Sequence, residues 1–177
     1  MDEETGEFGR GFSVDVCQKW ERAFNDISTP STRKVAIRTA IVLGKEGGAL
    51  QPLKNLAKLG VGGKQGPGSQ YFSWIHEQDF VRAIDFLIAH DGITGAVNIS
   101  SPNPVINSVI MKTLRKEVGI PFGVPMPRWL LEVGAIIIGT ETELVLKSRR
   151  VVPMKLLDAG YQFRFTGIEE ALGNLFR

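Results

Sequence analysis

Apolar residues recur at every fourth position in FSVDVCQKWERAF, at Phe12, Val16, Trp20 and Phe24, a spacing that predicts a helix with a single apolar stripe. The period then changes. STRKVAIRTAIVLG is rich in β-branched residues and is bounded by Ser31 and Gly44, so it predicts one strand. Helical spacing returns in GALQPLKNLAKLG through Leu50, Leu53, Leu56 and Leu59, with Gly60 placed to end the helix in a left-handed conformation. QDFVRAIDFLIAH sets Phe80, Ile84, Leu87 and Ile88 on one helical face, with Gln78 and Asp79 near its start. GAVNISS predicts a short strand, NSVIMKTLRKEVG a helix closed by Gly119, and IPFGVPMP an extended connector. PRWLLEVGAIII, ETELVLKS and PMKLLDAG are helix-like, and IEEALGNLF predicts a terminal amphipathic helix.

Alternating strands and helices predict an α/β fold with parallel strands, because each parallel connection needs a crossover and a helix usually provides it. Two clear strands are few for a free-standing doubly wound sheet, so the chain reads as part of something larger. Its 177 residues suffice for one domain with a sizeable core.

Between Gly60 and Gly68 the chain places five glycines and one proline in nine residues. A dinucleotide loop needs glycines at fixed offsets, and after Gly60 and Gly62 the third would fall at Gln65; no G-x-x-x-x-G-K-[ST] pattern is present either. The loop therefore serves another purpose.

Composition narrows the function classes. A hydrophobic fraction of 43% with 23% charged residues is that of a globular chain. The net charge of +2 combines an acidic start, MDEETGE, with a basic run, KSRRVVPMK, too small to read as a nucleic-acid patch and taken as a solvated face. Cys17 is the only cysteine, which excludes an internal disulfide and suits a reducing, cytoplasmic setting; no Cys/His cluster has zinc-ligand spacing. WLLEVGAIIIG is broken by Glu132 and falls short of the roughly 20 apolar residues that span a bilayer, so neither membrane nor nucleic acid is an expected partner.

Several residues carry two readings. His76 can hydrogen-bond a ligand or help open the next helix; Asp79 has a capping role; Trp74 fills core or stacks on a ligand ring. Arg38, inside an apolar strand, needs a carboxylate or carbonyl partner or an edge position. Asn98 either locks the loop after its strand or meets a ligand. Cys17, with Lys19 facing elsewhere, reads as a small packed residue rather than a nucleophile.

The segments VAIRTAIVLG, GPGSQYFSWIHEQDFVRAIDFLI, GAVNISSPNPVINSVI and RRVVPMKLLDAGYQFRFTGIEEALGNLF, in that order, resemble the C-terminal half of an extended short-chain dehydrogenase/reductase. The likeness is to its atypical, NAD(P)-dependent epimerase-like branch with a C-terminal domain of unknown function. It implies a Rossmann-like fold in which residues 1–45 end the nucleotide-binding core and 46–177 form a substrate-side α/β region with the family tail. The resemblance puts cofactor-facing backbone at Thr39, Ala40, Ile41 and Val42, and substrate-side positions at Gln70, Phe72, Trp74, His76 and Asn98. NAD or NADP is implied for the full-length protein, and none for this chain alone, because the glycine-rich first turn has no counterpart in it.

Two departures qualify that likeness. The Tyr-x-x-x-Lys pair, in which lysine lowers the phenol pKa for proton exchange, maps onto Ser13 and Cys17 when Glu21 is the anchor. Neither Tyr71 nor Tyr161 has a lysine four residues on. The arginine with which sugar-nucleotide epimerases grip a diphosphate maps onto Phe72. The expected function is the substrate-side part of an NAD(P)-dependent epimerase or reductase acting on an unknown small molecule, without catalytic residues of its own; the alternative is a non-catalytic NAD(P)-sensing or protein-binding module on the same frame. An uncovered sheet edge predicts self-association.

Overall fold

The structure, a computed structural model, describes residues 1–6, 9–131 and 146–177. Most of the helix-like segments PRWLLEVGAIII and ETELVLKS lies outside those residues. Twelve elements are described: α1 (Phe12–Asp26), β1 (Val35–Thr39), β2 (Ile41–Leu43), α2 (Leu50–Lys58), β3 (Tyr71–Phe72), β4 (Trp74–His76), α3 (Glu77–Ala89), β5 (Gly95–Ile99), β6 (Val105–Ile106), α4 (Asn107–Glu117), α5 (Met154–Asp158) and α6 (Ile168–Leu175).

β1 pairs in parallel with β5 and β2 in parallel with β4, while β3 and β6 form a short antiparallel pair. STRKVAIRTAIVLG is thus two strands rather than one. At Ala40 the chain changes partner: the Ala40 N–H donates to Ile99 O at 3.0 Å and the Ile41 N–H to Ser73 O at 3.2 Å. Apolar β-branched residues on both sides of Ala40 hide this exchange from the sequence.

Strand alternation sorts the core into two layers. Trp74 packs with Leu43, Leu53, Met111 and Leu172, which brings α2, α4 and α6 to one face. Its neighbour Ile75 packs with Ala83, Leu87, Val97 and Leu156, which brings α3 and α5 to the other. All three β4 residues are buried, as expected for a parallel strand covered on both faces. The α/β class with few parallel strands and several helices is the observed one.

α1 departs from expectation. Its stripe predicts a buried face, yet no residue of the helix is buried; Phe12 is 84% exposed and Trp20 70%. Periodicity shows that a face wants cover, without saying what supplies it. Polar contacts hold α1 instead. Arg38 Nε and Nη2 donate to the Glu21 carboxylate, each at 2.6 Å, and Lys34 Nζ donates to the C-terminal carbonyls of Phe24, Asn25 and Ile27. The partner demanded by Arg38 is Glu21.

The stripes of α2 and α3 are each rotated at their ends. Ala57 is buried where Leu59 is 76% exposed, and Asp79, Ala83 and Leu87 form the buried line of α3 while Ile88 is 67% exposed. Gly60 at φ +75° and Gly119 at φ +73° end α2 and α4 as their positions predict.

Candidate functional site

The first turn of α3 is built by His76 and Asp79. His76 is the N-cap, its Nδ1 accepting the Gln78 N–H at 3.1 Å, so that nitrogen carries no proton and Nε2–H faces Asn174 Oδ1 at 3.2 Å. The ring also stacks on Phe165, with centroids 3.9 Å apart. Burial lowers the His76 pKa, outweighing the hydrogen bond to Asn174, and the imidazole is held neutral. Asp79 does not cap its own helix. Fully buried, it accepts the Arg164 and Phe165 N–H groups, each at 2.8 Å, and pairs with Arg82 at 3.0 Å, fastening the tail to α3.

Trp74 is fully buried and its Nε1–H donates to Asn103 O at 3.1 Å. Gln70 is buried within the glycine loop, donating through Nε2 to Gln65 O at 2.7 Å. The loop itself is packed backbone to backbone. A Cβ on Gly62 would lie 2.6 Å from Ala57 Cα, and one on Gly63 2.5 Å from the Val124 carbonyl carbon. Gly62 and Gly63 thereby allow the chain to lie on α2 and on the 122–126 connector.

The residues expected near a cofactor fall elsewhere, around one open concavity of about 840 Å³. Thr39, Ala40, Ile41 and Val42, where the strand changes partner, form its floor together with Phe72 and Asn98. Cys17, Trp20, Glu21 and Phe24 of α1 form one wall, and Lys147, Arg149 and Val151 another. The four cofactor-side positions and two of the substrate-side ones, Phe72 and Asn98, line this concavity, although Phe72 and Asn98 are themselves buried; Gln70, Trp74 and His76 are buried and do not line it.

The basic wall was not legible as part of a site. Residues 147–152 run beside β3 and β4: the Tyr71 N–H donates to Ser148 Oγ at 3.0 Å, the Arg149 N–H to Tyr71 O at 3.0 Å, Ser73 Oγ to Arg149 O at 2.6 Å, and the Val151 N–H to Ser73 Oγ at 2.8 Å. Asn98 Nδ2 donates to Val152 O at 3.1 Å, and the Asn98 N–H to Glu3 Oε1 at 3.0 Å, so Asn98 locks this segment and the N-terminal one to β5. Of the two phenols, Tyr71 lines the concavity and Tyr161 does not. Tyr161 is buried beneath α3, donates to Asp79 O at 2.9 Å, and is pushed by burial up to about 12.

A parallel strand pair flanked by helices, with an open cleft where a strand changes partner, defines the chain as a Rossmann-like α/β protein. Residues 126–175 match the domain of unknown function DUF1731. The chain is 35% identical over 171 residues to the epimerase family protein Mb2239 of Mycobacterium bovis, covering 97% of this chain and 56% of that protein. Its fold superposes on the human epimerase family protein SDR39U1, isoform 2, with NADPH, at a TM-score of 0.87 and 28% identity, covering 99% of this chain and 59% of the other. It also superposes on a nucleoside-diphosphate sugar epimerase from Corynebacterium glutamicum, at 0.77 and 31%, covering 99% and 33%. The chain belongs to the extended short-chain dehydrogenase/reductase, epimerase-like family with a C-terminal DUF1731 region. It spans a little over half the length of the curated relatives it matches. Among the described residues, no helix is long and apolar enough to cross a membrane.

Proposed function

We propose that this chain is the substrate-side part of an NAD(P)-dependent epimerase or reductase acting on a small molecule, and that the concavity over Thr39–Val42 is where that molecule meets the nicotinamide. The observation carrying this reading is the convergence on one cleft of the strand break at Ala40 with Phe72 and Asn98. The small Ala40 side chain and the apolar Trp20, Phe24, Ile41 and Val42 suit an aromatic ring lying against the floor.

The remainder of a dinucleotide fits less well. The glycine loop lacks the spacing of a pyrophosphate cradle, and Gly62 and Gly63 are used in packing, so tight binding is assigned to a dinucleotide-binding half outside this chain. When bound, the cofactor supplies hydride transfer; this chain's part is to wall the ring, exclude water and position the substrate. Cys17 occupies the lysine position of the usual relay and lines the same cleft, so proton exchange is assigned to no side chain of this segment.

The test joins the chain to the N-terminal half of the Mycobacterium relative and titrates NADPH and NADH by nicotinamide fluorescence. Saturable binding that a bulky A40F substitution abolishes is expected. Absence of binding to a folded fusion would remove the basis of the reading. Binding without turnover across a panel of carbonyl compounds and sugar nucleotides would favour a non-catalytic NAD(P) sensor, the reading that Ser13 and Cys17 support. β1 has β5 on one side and no strand among the described residues on the other, so we also propose that the isolated chain self-associates through that edge. A monomeric mass by light scattering at millimolar concentration would overturn this.

A further inference from the structure

We propose that Arg149, with Lys147 beside it, is an oxyanion-binding group of the concavity, and that the small molecule taken there carries a carboxylate or phosphate; this rests on reading the concavity as the substrate site. Residues 149–151 of the basic run lie along Tyr71 and Ser73, and a chain running beside a strand sends alternate side chains to opposite sides. Lys147, Arg149 and Val151 line the concavity. Ser148 is spent on the Tyr71 N–H, and Arg150 is exposed with its guanidinium 5.1 Å from the Tyr71 ring centre. Strand geometry thus selects one arginine of the adjacent pair.

Among the described residues, the carboxylates around the cleft are engaged elsewhere or, like Glu3 at the Asn98 N–H, lie more than 4.0 Å from Arg149. The Glu21 carboxylate is engaged by both nitrogens of Arg38, and the Asp2 carboxylate by the Thr5 hydroxyl and the Glu4 and Thr5 N–H groups. Lys147 Nζ donates to Arg10 O at 3.2 Å. Among the described residues, no carboxylate lies within 4.0 Å of Arg149, which is half-buried. A guanidinium stays protonated at every relevant pH, and its forked donors match the two oxygens of a carboxylate or phosphate. Its backbone N–H is bonded to Tyr71 O, one residue before Phe72. Along the backbone, Arg149 of the tail is thus a neighbour of Phe72, the position onto which the arginine of sugar-nucleotide epimerases maps.

The test uses this chain, isotope-labelled so that arginine Nε–Hε resonances are read by NMR. Inorganic phosphate and acetate are titrated at ionic strength held constant with chloride. Saturable shifts of the Arg149 resonance are expected, with a dissociation constant on the order of millimolar for a single small anion, while Arg150 moves little. R149Q abolishes the saturable response and R150Q retains it. Should R149Q fail to fold, the contrast between Arg149 and Arg150 in the unmodified chain decides. A response no different from chloride alone, or one unchanged in folded R149Q, would overturn the proposal. So would adenosine 2′-monophosphate binding through Arg149 at least tenfold tighter than phosphate, which assigns the arginine to the cofactor. Anion binding here with no NADPH binding in the fusion would sink the cofactor reading and leave this one standing; the reverse pair of results would do the opposite.

Discussion

Replacing Glu21 by glutamine removes the charge that Arg38 grips with two nitrogens at 2.6 Å, the main side-chain tie between α1 and the sheet. The two side chains are 25% and 28% exposed, between the fully solvated pairs that contribute under about 1 kcal/mol and the buried ones whose breakage costs about 3–5 kcal/mol. Glu3 lies near enough to help hold the Arg38 guanidinium charged, which limits the loss. A cost of about 2 kcal/mol follows, or roughly 30-fold in an opening equilibrium. Because α1 contributes no buried residue, the loss is expected to be local: amide exchange within Phe12–Asp26 accelerates by about that factor while the slowest amides of β4 and β5 are unchanged. The Arg38 hydrogen bonds hold the Glu21 carboxyl below its ordinary value. Its contribution is therefore full above the ordinary carboxylate range and disappears as pH falls through the lowered folded value. Protection factors in α1 of the unmodified chain, taken relative to the intrinsic exchange rate at each pH, should fall in acid and those of E21Q should not. Equal acceleration in α1 and the core, or none in α1, would refute the view that this pair docks the helix.

Further outcomes follow from the buried polar groups and the loop. D79N leaves the Arg164 and Phe165 N–H groups short of a charged acceptor and should lower unfolding stability by about 3 kcal/mol, read as a reduced urea midpoint. Because His76 has its folded pKa lowered by burial, the unfolded chain takes up protons first as pH drops below about 6.5. Stability should decline from there down to the folded pKa, and H76Q should flatten that decline in urea titrations at stepped pH. G62A places a methyl 2.6 Å from Ala57 Cα and should destabilise by about 2 kcal/mol in thermal unfolding, while leaving the phosphate response of Arg149 in place.

How far the sequence could be read is clearest in three places. The glycine loop was excluded as a dinucleotide cradle by spacing alone, and its packing against Ala57 and Val124 gives the reason those glycines are there. Arg38 in an apolar strand calls for a partner, yet nothing local identifies Glu21, seventeen positions earlier on a different element. Lys147 and Arg149 read as a solvated basic face, because a run of cations looks the same on any surface until a neighbouring strand orients it.

Local pattern determined the helices among the described residues, the parallel α/β character and the resemblance to the epimerase-like reductases, since period, turn residues and ordered motifs are properties of neighbours in the chain. Tertiary structure alone decided that the chain changes strand partner at Ala40, that Phe72 and Asn98, buried like Trp74 and His76, nonetheless line the cleft, and that Arg149 joins them. Those outcomes depend on hydrogen bonds between residues up to 98 positions apart, and pairing across that distance leaves no period in the sequence.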